Sequence, residues 1–163
     1  MRHTMDSPTS IARVTVLLAG EQYPNLSTQH ARTTDARVVL TWDSVMLTFR
    51  SRLQVEAFRE AFVDAGNAAR VLPAVVDPRV VAGALDFAAM MPAVSVVFTA
   101  APTAVICPGS AETQGGWAHP TRWVDLRLGG VMFRLLDRLA SDSATATVTD
   151  LSAVAGTTFC VRR

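Results

Sequence analysis

Two stretches of this chain gather the side chains that could move a proton or hold a polar ligand. Residues 19–36 carry Glu21, Tyr23, His30, Arg32 and Asp35, and residues 108–121 carry Glu112, Gln114, Trp117 and His119. An imidazole titrates close to neutral pH, so beside a carboxylate it can serve as general base or acid. Each stretch contains a single histidine. A working pair would set His30 or His119 beside a carboxylate of the opposite stretch, such as Glu112 or Glu21. Spacing along the chain does not arrange such a pair, and solvated loop residues explain the same composition.

A second set is basic and aromatic. Arg127, Arg134 and Arg50 fall where outward strand faces are expected, and Trp117 and Trp123 lie near two of them in sequence. Guanidinium groups there could meet phosphates, and indole rings could stack on bases. Arginines on an outward strand face also serve solubility. Tyr23 and Arg32 are further binding candidates in the first stretch. The motif tests are negative. Cys107 is followed by Pro-Gly-Ser without the arginine of a phosphate-binding cysteine loop, and residues 109–116 lack the Lys-Ser/Thr of a P-loop. No HExxH, paired CxxC, GxSxG or EF-hand pattern occurs. No metal site and no cofactor is expected.

Composition narrows the classes. A chain of 163 residues suits one domain, or two small halves sharing a core. Half of the residues are hydrophobic, enough for a sizeable core. Fifteen basic residues against fourteen acidic ones leave a net charge of +1, which gives no broad attraction to nucleic acid or to an anionic membrane. All the basic residues are arginine. With the Ala, Val and Thr bias this points to a high-GC genome, such as an actinobacterium or one of its phages or plasmids. Cys107 and Cys160 make no disulfide framework, and reduced thiols in a cytoplasmic protein are expected. Residues 14–20 are a short apolar run with Arg13 at its edge and no cleavage site, unlike a secretory signal. Residues 87–111 contain no charge and are long enough to span a bilayer. Pro92, Pro102 and Pro108 divide them, so they read as the end of a helix followed by strands.

The elements that would position these side chains are clearest in residues 37–70. With Asp43-Ser44 as a two-residue turn, Trp42 faces Val45, Leu40 faces Leu47 and Val38 faces Phe49. All six are apolar and share one strand face, while Val39, Thr41, Met46, Thr48 and Arg50 make a mixed opposite face. A slip of one residue would break the apolar set, so the register is specified. Ser51 and Gln54 then fit a capping box. Leu53, Ala57, Phe58, Ala61, Phe62 and Ala65 recur at helical spacing, and Gly66-Asn67 weakens the helix near its end.

Residues 122–139 repeat the layout. The turn is Gly129-Gly130, both expected at positive φ. Leu128 faces Val131, Leu126 faces Phe133 and Val124 faces Leu135, with Asp125 opposite Arg134 on the other face. Asp137 takes the capping position of Ser51. Laid over each other without a gap, residues 40–53 and 126–139 share Leu40/Leu126, Val45/Val131, Met46/Met132, Arg52/Arg138 and Leu53/Leu139. An internal duplication and two ordinary buried hairpins both explain this pattern.

Elsewhere residues 1–10 read as a disordered polar tail and 11–18 as a strand. Residues 71–76 are a short strand or linker. Asp77-Pro78 starts a connecting helix over 78–91. Residues 93–99 suggest a buried strand and 104–107 another. Residues 138–155 are helical if the duplication holds, although Ser and Thr crowd them and 144–149 alternate like a strand. Residues 159–161 suggest a terminal strand. The expected architecture is therefore α+β: a single domain over 11–163 built of two β–loop–β-hairpin–α units, 11–72 and 93–155, in a pseudo-two-fold duplication around one core. The expected function is a non-enzymatic interaction or assembly protein, accessory to a mobile element, with a protein partner or self-association. A nucleic-acid-binding sheet surface and a small enzyme built from the two long loops are the alternatives; a membrane location is not expected.

Overall fold

The computed structural model describes residues 14–42, 45–77, 94–110 and 122–160. The expected tail at 1–10, the turn pair Asp43-Ser44, the connecting helix at 78–91 and the candidate residues Glu112, Gln114, Trp117 and His119 lie outside the described residues. Among the described residues, eight strands and two α-helices follow in chain order. They are β1 (Val14–Leu18), β2 (Asn25–Gln29), β3 (Arg37–Trp42), β4 (Val45–Phe49), α1 (Arg52–Ala68), β5 (Val94–Val97), β6 (Ala104–Ser110), β7 (Arg122–Leu128), β8 (Val131–Leu135) and α2 (Arg138–Thr158). A short 3-10 turn, Ala69–Val71, extends α1. The class is mixed α+β, with two four-stranded sheets.

Both hairpins form in the expected register. Trp42, Leu40 and Val38 pair with Val45, Leu47 and Phe49, and all six are buried. Leu128, Leu126 and Val124 pair with Val131, Phe133 and Leu135, again all buried. The second turn differs from expectation. Only Gly129 has positive φ, at 61°, as a type II′ turn requires at its first central position.

The sheets are completed by exchange. Sheet I has the order β2-β3-β4-β5 and sheet II the order β1-β8-β7-β6. Thus β1, which precedes β2 in the chain, runs parallel to β8 in the other sheet, and β5, which precedes β6, runs parallel to β4. The registers correspond position by position. Val14 pairs with Val131 and Val94 with Val45; Leu26 pairs with Leu40 and Ile106 with Leu126. Val94 and Ile106 stand eighty positions after Val14 and Leu26, and Val131 and Leu126 stand eighty-six after Val45 and Leu40.

Residues 19–36, between β1 and β3 and expected as one long loop, are mostly ordered by these pairings. They contain β2, and their first part is anchored to α2. The Gly20 N–H donates to both Asp137 carboxylate oxygens (3.1 and 3.0 Å), and the Gln22 N–H donates to Ser143 Oγ (2.8 Å). The corresponding passage after β5 is anchored to α1, where Gln54 Nε2 donates to the Phe98 carbonyl (2.9 Å). Gln54 also accepts from the Arg50 N–H (2.7 Å), and its own N–H donates to Ser51 Oγ, the capping bond expected of Ser51.

The helices pack on each other and on both sheets. Beyond that contact, α1 lies mainly on β6 and β7, and α2 mainly on β3. The buried stripe of α1 is Val55, Phe58, Phe62 and Ala65, with Gln54 and Ala61. Leu53, expected in that stripe, is instead exposed. The stripe turns because Gln54 and Val55 at the start of the helix face inward, which carries Leu53 to the solvent side. Helix α1 also runs through Gly66-Asn67. A Cβ added at Gly66 would meet Ser141 Oγ and Thr145 Oγ1 of α2 at 3.4 Å, so the glycine sits at the helix crossing.

Residues 144–149, which alternate like a strand, are helical. Thr145, Thr147 and Thr149 donate their hydroxyls to the carbonyls of Ser141, Ser143 and Thr145, which satisfies the polar groups within the helix. The small side chains Ala140, Ser141, Ala144 and Val148 face inward, where bulk would hold α1 away. Three further expectations change. Residues 94–97 form an edge strand with Val97 exposed rather than a buried strand. Strand β6 continues to Ser110 through Pro108, which the strand tolerates on a sheet edge. Phe159 caps α2 instead of opening a strand, because the helix continues to Thr158 and the Phe159 N–H donates to the Ala155 carbonyl. Residues 72–76 form no strand; the Pro73 and Ala74 carbonyls accept from the first N–H groups of α2, Arg138 and Leu139.

A single aromatic cluster joins the sheets. Phe133 of sheet II lies 5.8 Å from Trp42 of sheet I and contacts Phe58 and Phe62 of α1. Phe49 and Phe98 extend the cluster beyond Phe58. Outside the core, Glu56 of α1 accepts from Ser152 of α2 at 2.6 Å and from Arg59 at 2.9 Å. The Ser152 hydrogen bond, then that of Arg59, lowers the Glu56 carboxyl below its ordinary 4.5. A lowered carboxyl stabilises the fold above its unfolded pKa and loses that contribution as pH falls through the folded value. Stability should therefore drop on acidification from about pH 5 downward, with a shallower drop in Glu56→Gln. Urea titrations at graded pH check this, and an identical pH profile in Glu56→Gln would contradict it.

Candidate functional site

The structure separates the residues of the first candidate stretch. Glu21 and Tyr23 precede β2, whereas His30 and Arg32 follow it, and all four are exposed. Five extended residues hold the two pairs about 16 Å apart. Tyr23 is 82% exposed, and its hydroxyl titrates above its ordinary value because of its hydrogen bond to Glu21. His30 and Arg32 take positive φ, 50° and 64°, and the Arg32 N–H donates to the Thr158 carbonyl at 2.8 Å. The local role of this segment is thus a sharp turn that ties β2 to the end of α2. Among the described residues no group of three His, Cys, Asp or Glu side chains could hold a metal ion.

The second candidate set divides between the sheets. Arg50 follows β4 of sheet I and lines a shallow cavity of about 330 Å³ with Thr33, Arg52, Leu53 and Phe159. Arg127 and Arg134 lie on the outward face of sheet II. Arg50 thus belongs to one sheet, and Arg127 and Arg134 to the other. The reason is topological: the two hairpins, alike in pattern, belong to different sheets.

On sheet II the outward face is built in rows. Leu17, Arg134, Asp125 and Cys107 stand in one cross-strand row, and Thr15, Met132, Arg127 and Val105 in the next. The expected Asp125–Arg134 pair is present and bidentate, with Arg134 Nε and Nη2 donating to the two carboxylate oxygens at 2.7 and 2.9 Å. Asp125 is buried beneath the guanidinium, and its hydrogen bonds raise the Arg134 pKa. The guanidinium carbon also lies 4.8 Å from the centroid of the Trp123 ring, in cation–π range. Trp123 in turn occupies the space over Gly109, its cross-strand partner. A Cβ there would collide with ring atoms Cε2 and Nε1. Gly109, Trp123, Arg134 and Asp125 thus form one interlocked stack.

Gly109 was not a sequence candidate. The cue available was a glycine following proline in a strand, where another group approaches closely. Leu17 and Val105, the exposed apolar flanks at 40% and 51%, gave no sequence signal, since single apolar residues in strands look like core. The equivalent face of sheet I carries Val39 and Thr48, both buried, where sheet II has Asp125 and Arg134. The two sheets share register and inward apolar faces but differ outward.

No helix among the described residues is long and apolar enough to cross a membrane. No family model, curated protein or solved structure matches this chain.

Proposed function

We propose that this protein is a non-enzymatic interaction module that binds another protein through the outward face of sheet II. The observation that carries the reading is the Gly109–Trp123–Arg134–Asp125 stack. Trp and Arg are the side chains that most often anchor protein interfaces, and an anchor already held in place loses little freedom on binding. Leu17 and Val105 add exposed apolar surface beside it. The same reading takes the two units as diverged copies of one ancestor, supported by their matching registers, with the outward face of sheet II adapted to a partner. Nucleic acid is the second reading, and the stack weakens it. Asp125 neutralises the charge of Arg134, so the stack offers a phosphate no net attraction.

A photo-crosslinking amino acid placed at Val105 or Leu17 should yield protein adducts in cells, whereas one at Val63 on α1 should not. Nucleic-acid adducts, or equal yields from all three sites, would refute the proposal. Gly109→Ala should displace the Trp123 ring and abolish the adducts, with a shift in tryptophan emission as the independent readout of the displacement. Unchanged emission would show that the ring does not rest on Gly109.

A further inference from the structure

Arg127 has no described partner, and that fact, taken with its surroundings, indicates what the other surface must bring. Its neighbours in the cross-strand row are Met132 and Val105, both apolar. It is exposed and makes no ion pair or hydrogen bond through its side chain among those of the described residues. The acid of the two rows, Asp125, is buried, and both of its oxygens are taken by Arg134. The stack is therefore electrically closed, and Arg127 is left as an uncompensated positive charge bordered by apolar side chains. A surface that covered the exposed Val105 and Leu17 would strip water from that guanidinium, and leaving it unpaired would oppose binding. A planar guanidinium is best satisfied by a carboxylate, which it can hold with two parallel hydrogen bonds. A nucleic-acid backbone is a poorer match, because it presents a line of phosphates and, among the described residues, this face offers one free charge.

We infer that the occupant of this face is a protein segment presenting an Asp or Glu side chain to Arg127, with apolar side chains that cover Leu17 and Val105. This rests on the protein-binding reading and names the chemistry of its partner. Electrostatic complementarity of this kind selects partners and speeds their encounter more than it adds affinity.

The test selects random peptides of about a dozen residues, displayed on phage, against the whole chain. The expected peptides are rich in Asp or Glu next to Leu, Phe or Trp. Their affinity falls about tenfold in Arg127→Glu, as loss of a charge-assisted hydrogen bond predicts. It returns when the peptide acid is replaced by lysine. The paired surface change Leu17→Ser with Val105→Ser, whose melting temperature should match the parent, weakens the same peptides. Peptides that lose binding in the serine variant but contain no acid and ignore Arg127→Glu would overturn the carboxylate inference and leave the protein-binding reading standing. Peptides indifferent to both variants, or none at all, would overturn both. Salt-dependent binding of labelled oligothymidine that is lost in Arg127→Glu would also overturn both and assign the face to nucleic acid.

Discussion

Phe49→Ala lowers the stability of the protein by about 3–5 kcal/mol, the range of a large aromatic deletion in a packed core. The ring is fully buried on β4 and touches Phe58 of α1 and Phe98 beyond β5, at centroid distances of 5.1 and 5.0 Å. Phe58 in turn touches Phe133 of sheet II, so the lost volume lies where sheet I, α1 and the chain leaving β5 meet. None of these can move inward without pulling a strand from its ladder, and the cavity would persist rather than collapse. Guanidinium unfolding of the purified variant measures the effect. A loss below about 1 kcal/mol would mean that Phe49 is not held in this core.

The second large effect is expected at Asp137. Its carboxylate is fully buried, and three backbone N–H groups donate to it: Gly20, Val76 and Ala140. They belong to the passage leaving β1, the segment after α1 and the first turn of α2. One side chain thus joins three pieces of chain that are distant in sequence. Asp137→Ala removes a helix cap and strands buried donors, at a total of about 4 kcal/mol. Asp137→Asn retains one oxygen and should lose about half of that. Amide exchange separates this from simple cap loss. Gly20 and Val76 should lose protection along with Ala140, whereas loss confined to Ala140 would reduce Asp137 to a local cap.

Much of this fold could be read from residue order alone. Alternation in 38–49 and 124–135 specified both hairpins, because one register alone gives an all-apolar face. Ser51 and Asp137 marked both helix starts, because only a short acceptor side chain can close back on its own helix turn. What residue order concealed was long-range. Nothing local tells β1 to join β8 rather than β2, since Val-Thr-Val-Leu-Leu fits any half-buried edge. The helical state of 144–149 was hidden because threonine alternation favours strand, and the packing of α1 against small side chains overrides it. The outward face of sheet II was legible only in part. The Asp125–Arg134 pair follows from hairpin register, but the place of Gly109 beneath Trp123 depends on β6 extending past Pro108. The expected pairing of His30 or His119 with an acid of the opposite stretch involves Glu112 and His119, which lie outside the described residues.

The exchanged first strands underlie the core, the Asp137 junction and the build of the sheet II face, and nuclear magnetic resonance of the isotopically labelled chain tests them directly. Cross-strand contacts should connect Val16 with Phe133 and Val96 with Leu47, the pairs that close the two parallel ladders. Contacts that instead place β1 beside β4 of sheet I, with none to β8, would contradict the exchange.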